Sequence, residues 1–245
     1  KRISMIFQDP MTSLNPTQTV GDQILEVLNL HFPEMTREEK NKRVDEMMTL
    51  VGIPPQRKKS FPHEFSGGMK QRVVIAMALV AEPELLLADE PTTALDVTIQ
   101  AQILELMKQL REKFNTSVML ITHDLGVVAQ FCDSVSVVYA GRVVEYGPVE
   151  IVFQRKENHP YTAGLFNCIP NLHDDQPRLH PIAGHMADPR VEYKGCCFAD
   201  RCEYATERCR TEAPSMHVCG EHGILCHRYS EKEEFWQCLL LKRRI

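Results

Sequence analysis

The sequence predicts an α/β fold, a largely parallel sheet with helices on both faces, followed by a small cysteine-rich extension. Three observations carry this. From Ser66 onward, short apolar runs alternate with longer stretches of helical periodicity, the rhythm of strand–helix–strand units. The run "LLLADE", Leu85 to Glu90, is too short for a helix and ends abruptly in two carboxylates. Beyond about residue 156 the alternation stops, and prolines, histidines and cysteines take over.

Taken in order, Ile3 to Phe7 reads as a buried strand ending at Gln8. Residues 9–19, "DPMTSLNPTQT", read as loop, because prolines and small polar residues dominate. Ile24, Leu25, Val27 and Leu28 fit one helix. Thr36 and Glu39 have capping-box spacing and open another, which stops near Gly52 with Val44, Met47, Met48 and Val51 on one core face. A helix from about Gly68 to Val80 precedes the strand Leu85 to Ala88. The next helix runs from Asp96 to about Phe114, with Ile99, Ile103, Met107 and Leu110 at helical spacing. The strand "SVMLIT" follows, then a short helix after Asp124. "SVSVVY" and "RVVEY" flank Ala140-Gly141 as a hairpin. "HPYTAGLF" is the one helical stretch expected in the extension. The domains are therefore placed at 1–156 and 157–245.

Bulk properties narrow the function. Hydrophobic residues make up 43%, an ordinary share for a globular chain of 245 residues. The longest uncharged apolar run, Val73 to Ala81, is well under the roughly 20 residues needed to span a bilayer. A net charge of −5 argues against a general nucleic-acid binder, and "KRR" at Lys242 to Arg244 is too short to alter that. The chain opens on a strand-like "ISMIF" without Met, and reads as a piece of a longer polypeptide.

The chemistry concentrates at strand ends. Asp89 and Glu90 follow a strand where open α/β sheets place ligands; an Asp there suits Mg²⁺ and a Glu suits activation of a water. "FSGGMKQR" places Ser66, Gly67 and Gly68 at a helix start, where backbone N–H groups and the helix dipole favour an anion. "LITHD" brings His123 to the end of a second strand, and Gln8 ends a third.

In this order and spacing, these stretches resemble the ATP-binding subunits of ABC transporters, P-loop NTPase-like α/β ATPases. The resemblance implies a Q-loop glutamine at Gln8 and a signature loop at Ser66, Gly67 and Gly68, with Gln71 of the same stretch also on the nucleotide side. It implies the Walker B aspartate at Asp89, the catalytic glutamate at Glu90, the D-loop at Asp96 and the switch histidine at His123. Phe65 stands where the family usually has Leu. The family's Walker A loop precedes the Q-loop, and no GxxxxGK[ST] occurs in these 245 residues. The ATPase domain is thus read as truncated before the Q-loop and, by itself, inactive.

"IFQDPMTSLNPTQTVGDQI", "EPTTALDVTIQAQI" and "HPYTAGL" are similar to the dipeptide/oligopeptide importer ATPases, whose relatives also carry nickel. This implies an ATPase with ATP and Mg²⁺, driving peptide import from the cytoplasmic face of the inner membrane. Its implied partners are a second ATPase subunit, two permease subunits and, indirectly, an extracytoplasmic solute-binding protein. The alternatives are a nickel or other small-solute importer and a soluble ABC ATPase.

Nine cysteines are present, seven of them between Cys196 and Cys238, a clustering that fits a local metal site. By resemblance to the same subfamily, Cys196, Cys202, Cys209 and Cys226 are the ligands of a [4Fe–4S] cluster. Zn²⁺ is the alternative, with His217, His222 and His227 nearby. The spacings among these four lack the short Cys-x₂₋₄-Cys pair of zinc ribbons. Cys197 and Cys219 leave the assignment ambiguous.

Overall fold

The computed structural model describes residues 1–93, 95–154, 157–169, 181–188 and 190–230. Cys238 and the Lys242–Arg244 run lie outside these residues, as does the 156 side of the boundary drawn from the sequence. The chain divides into two compact units, Lys1–Val127 and Val128–Ile245.

The first unit holds a three-stranded parallel sheet in the order β1 (Ile3–Ile6), β2 (Leu85–Asp89), β3 (Ser117–Ile121). Register is continuous across it: Met5 pairs with Leu87 and Leu87 with Met119. A helical turn, α1 (Pro10–Ser13), occupies the segment expected to be loop. Helices α2 (Val20–His31), α3 (Arg37–Leu50), α4 (Gly67–Leu79) and α5 (Val97–Phe114) follow, and the short α6 (Leu125–Phe131), expected after Asp124, runs across the division between the units. Their starts are fixed by side-chain oxygens that accept otherwise orphaned backbone N–H groups: Thr19 for α2, Ser66 for α4 and Asp96 for α5. At α3 the capping box is complete, Thr36 and Glu39 each satisfying the other's backbone N–H. Gly52, at φ 75°, takes the left-handed conformation that ends this helix. Val44, Met47, Met48 and Val51 are buried as their spacing requires.

The expectation of helices on both faces of the sheet does not hold. Ile6, Leu86 and Ala88 are buried, and α4 packs against β1. On the other face, Ile3, Met5, Phe7, Met119 and Ile121 are between 38% and 63% exposed. Among the described residues no element covers them, so this apolar face stands open.

The second unit is built on a four-stranded antiparallel sheet, β4 (Ser134–Tyr139), β5 (Arg142–Pro148), β7 (His222–Leu225), β6 (Met216–Cys219) in spatial order. The β4–β5 hairpin turns through Ala140 and Gly141, both at positive φ (47° and 75°), the geometry a two-residue hairpin needs. The cysteine-rich tail contributes β6 and β7, which the sequence pattern did not predict, and β7 pairs with β5 through Glu145↔Ile224. Hairpin and tail therefore form one sheet, although the sequence places them in different domains. Helices α7 (Val149–Phe153), α8 (Pro160–Asn167) and α9 (Glu207–Thr211) border it. Val137, Tyr139, Val144, Cys197 and Phe198 make its core, with the Tyr139 and Phe198 rings edge-to-face at 5.2 Å.

Candidate functional site

In the first unit, three parallel strands end side by side and deliver their following residues to one place. Glu90, directly after β2, is the hub. One carboxylate oxygen, Oε1, lies 3.1 Å from His123 Nδ1. The other, Oε2, accepts from Gln8 Nε2 at 3.0 Å and from the Thr93 hydroxyl at 2.8 Å. Its backbone N–H donates to Ile121 O at 2.9 Å, so the chain leaves the sheet still tied to β3. Glu90 sits at φ 43°, an uncommon place for a residue with a side chain, and four polar partners hold it there. The His123 hydrogen bond, then the Thr93 hydroxyl, hold its carboxyl below the usual carboxylate range; partial burial opposes them.

The other residues take distinct positions. Asp89 closes β2 opposite Ile121. Ser66 Oγ accepts from Met69 N, and a Cβ on Gly68 would lie 2.6 Å from Ile99 Cγ2, so the signature turn is pressed against the start of α5. Asp96 Oδ1 accepts from Ile99 N at 3.0 Å and is occupied as the cap of α5. Gln71 is 1% exposed, and its amide has no hydrogen-bond partner among the described residues. Thus Gln8, Glu90 and His123 meet, while Ser66, Gly67, Gly68, Gln71 and Asp96 lie along the adjoining α4–α5 edge. Thr93 was missed from the sequence, although "EPTT" set a hydroxyl three residues beyond Glu90.

In the second unit, Cys196, Cys202, Cys209 and Cys226 line one cavity of about 260 Å³. Cys197 and Cys219 do not: the Cys197 thiol turns to Tyr139 O, and Cys219 packs on the Ile224–Tyr229 cluster. The tail can fold this tightly because Gly195 has no side chain. A Cβ there would lie 2.3 Å from Cys209 O, where Cys196 N–H donates at 2.8 Å. A backbone N–H two residues further on faces three of the sulfurs: Phe198 at Cys196, Tyr204 at Cys202 and Arg228 at Cys226. Burial still outweighs these donors, pushing Cys196 up to about 11 and raising Cys202 and Cys226. Arg228 and Arg208 also line the cavity, Arg208 paired with Glu212 at 2.9 Å.

As a donor set, four thiols lining one cavity match in number the ligands of an iron–sulfur cluster, with backbone N–H donors and Arg228 placed to offset thiolate charge. Among the described residues, no group of three or more His, Cys, Asp or Glu side chains is placed to hold a metal ion. The zinc alternative loses two of its histidines as well. His222 Nε2 is engaged 2.9 Å from the buried Glu145, and His217 is absent from the cavity lining; of the three, His227 lines it. Sequence reasoning missed Glu145 as a buried hub. It also missed His159, which lines the cavity from "HPYTAGL" and whose burial pushes its imidazole down to about 4 against the opposing Glu145 carboxylate.

A carboxylate held among a glutamine, a histidine and a hydroxyl where parallel strands end, with a glycine-rich helix start nearby, defines the class of ABC-type ATPases. Residues 1–93 match the ABC transporter family, and residues 144–209 match the oligopeptide/dipeptide transporter C-terminal region. The chain belongs to the family of ATP-binding subunits of oligopeptide/dipeptide ABC transporters. It is 55% identical to the oligopeptide transport ATP-binding protein OppD of Bacillus subtilis, across the whole of this chain and 70% of that protein. It is 48% identical to OppD of Haemophilus influenzae, over 96% of this chain and 72% of that protein. Among solved structures it resembles a dimeric, post-hydrolysis ATP-binding cassette, MJ0796, bound to ADP and phosphate. That match has a TM-score of 0.53 and 31% identity, over 61% of this chain and 63% of that one.

Proposed function

We propose that this chain is the ATP-hydrolysing subunit of an importer for dipeptides and oligopeptides. The observation that carries the reading is the Gln8–Glu90–His123–Thr93 cluster, in a chain about half identical to oligopeptide transport ATP-binding proteins. Glu90 orients and polarises the attacking water, and His123 holds the γ-phosphate. Asp89 would hold Mg²⁺, which when bound would neutralise phosphate charge. Oε1 faces His123 alone, whereas Gln8 and Thr93 share Oε2, so release of His123 opens Oε1 to the attacking water. That exchange makes hydrolysis conditional on closure.

Closure brings a second ATPase subunit head to tail, its ATP capped by Ser66, Gly67 and Gly68. Gln71 and Asp96 support that turn from behind. No GxxxxGK[ST] is present in these 245 residues, so the phosphate cradle is not among the groups assigned here. Two permease subunits receive the motion near Gln8 at the cytoplasmic face of the inner membrane, and a solute-binding protein supplies the peptide. No described helix is long and apolar enough to cross a membrane. Cys196, Cys202, Cys209 and Cys226 hold a [4Fe–4S] cluster that cross-links the tail.

The test is Glu90→Gln in the assembled transporter. ATP binding is expected to persist while turnover falls on the order of 10²–10⁴-fold. Hydrolysis at the wild-type rate would refute the assignment.

A further inference from the structure

His159 is a further polar neighbour of the four-cysteine cavity. It stands at the N-cap of α8, is 1% exposed, and forms part of the cavity wall beside Phe198, ring to ring at 5.7 Å. Its Nδ1 accepts the Tyr161 N–H at 3.1 Å. A ring nitrogen that accepts a hydrogen bond carries no proton, so the ring is neutral and its one proton is on Nε2. The tautomer is thereby fixed, and Nε2–H is the only donor the ring has left.

The backbone beneath it is fixed too. Glu145 on β5 is fully buried, and its Oε2 accepts the His159 N–H at 2.8 Å. Its Oε1 accepts from Asn158 Nδ2 at 2.8 Å and faces His222 Nε2 at 2.9 Å. The Tyr229 hydroxyl donates to Asn158 O at 2.8 Å, three residues after Cys226. One network thus ties the His159 backbone to Tyr229, three residues after Cys226. A side chain this constrained, at the rim of a thiol-lined cavity, is suited to a directional contact.

We propose that His159 is a positioning residue for the cysteine-bound group, donating its Nε2–H to a sulfur in the cavity. This adds a side-chain donor to the backbone N–H groups at Cys196, Cys202 and Cys226. The inference rests on the reading that these cysteines hold an iron–sulfur cluster. A hydrogen bond to sulfur takes up negative charge, which favours the reduced, more negative cluster.

The test compares the whole chain with His159→Asn and His159→Gln, each loaded with iron and sulfide without oxygen. Asn keeps an oxygen that caps α8 as Nδ1 does, but stops short of Nε2. Gln gives up the cap and carries an amide N–H out to the reach of Nε2. H159N is expected to hold the same iron and sulfide with a more negative midpoint potential. A tenfold change in the one-electron equilibrium corresponds to about 59 mV. H159Q is expected to recover most of that shift. Loss of iron from H159N alone would also support the contact. Equal potentials in H159N and wild type, equal iron loss from both variants, or a cluster that cannot be reduced would overturn it. Failure of the wild-type chain to take up iron and sulfide would instead overturn the cluster reading itself, and the inference with it.

Discussion

Gly195 is the residue on which the geometry of the tail turns. Its missing side chain lets Cys196 bond back to Cys209 O at 2.8 Å, where any Cβ would lie 2.3 Å from that oxygen and 2.7 Å from Arg210 C. Those neighbours are backbone and cannot swing aside. Gly195→Ala is therefore expected to separate the two segments, cost about 1–3 kcal/mol in a thermal melt, and abolish iron uptake. Gly67→Ala serves as the control, since its Cβ would meet only a Leu95 methyl at 3.8 Å. A G195A protein with unchanged melting and iron content would remove Gly195 from this role. Glu90 was legible from the sequence because a strand followed by two acids is a local pattern. That Thr93 and Gln8 share one of its oxygens was not, since hydrogen-bond partners follow from strand order rather than spacing.

Among the elements, those whose signals are local were read correctly. Thr36 with Glu39, Ser66 and Asp96 each announce a helix start through a side chain three residues from the N–H it serves. Strands β6 and β7 were illegible for the opposite reason. Each has only four residues, MHVC and HGIL, and β7 finds its partner far back in the chain at β5. The junction of β5, β7 and α8 also sets a pH dependence. Burial pushes His159 down to about 4 from an ordinary 6.5, so below pH 6.5 the unfolded chain takes up a proton that the folded chain refuses. Stability therefore falls as pH drops from 6.5 towards 4, by a total on the order of 3 kcal/mol. Melts at pH 7 and pH 5 should show the loss, and H159N should show markedly less of it. An equal slope in both proteins would place the proton uptake elsewhere.

At the scale of the whole molecule, the sequence indicated a parallel sheet but could not indicate which face would be covered. Alternating burial on β1 and β3 shows one face in the core and one in solvent. A bare surface carrying Met5, Phe7, Met119 and Ile121 is expected to bind a hydrophobic dye and promote self-association of the 245-residue chain. Met119→Lys, at a position 57% exposed, should reduce both while changing stability by no more than about 0.5 kcal/mol. Dye binding unchanged in that variant would locate the sticky surface elsewhere.

The pairing of β5 with β7 has a consequence in time. A ribosome releases β5 long before β7, because His222 follows its partner Glu145 by 77 residues. Until the later strand arrives, the Glu145 carboxylate lacks the imidazole it faces, and the fourth thiol, Cys226, does not yet exist. The cavity can therefore present all four thiols only after residue 226 has been made. A protein cut short anywhere between Cys209 and His222 would leave synthesis with three of the four cavity thiols and with β5 lacking its β7 neighbour.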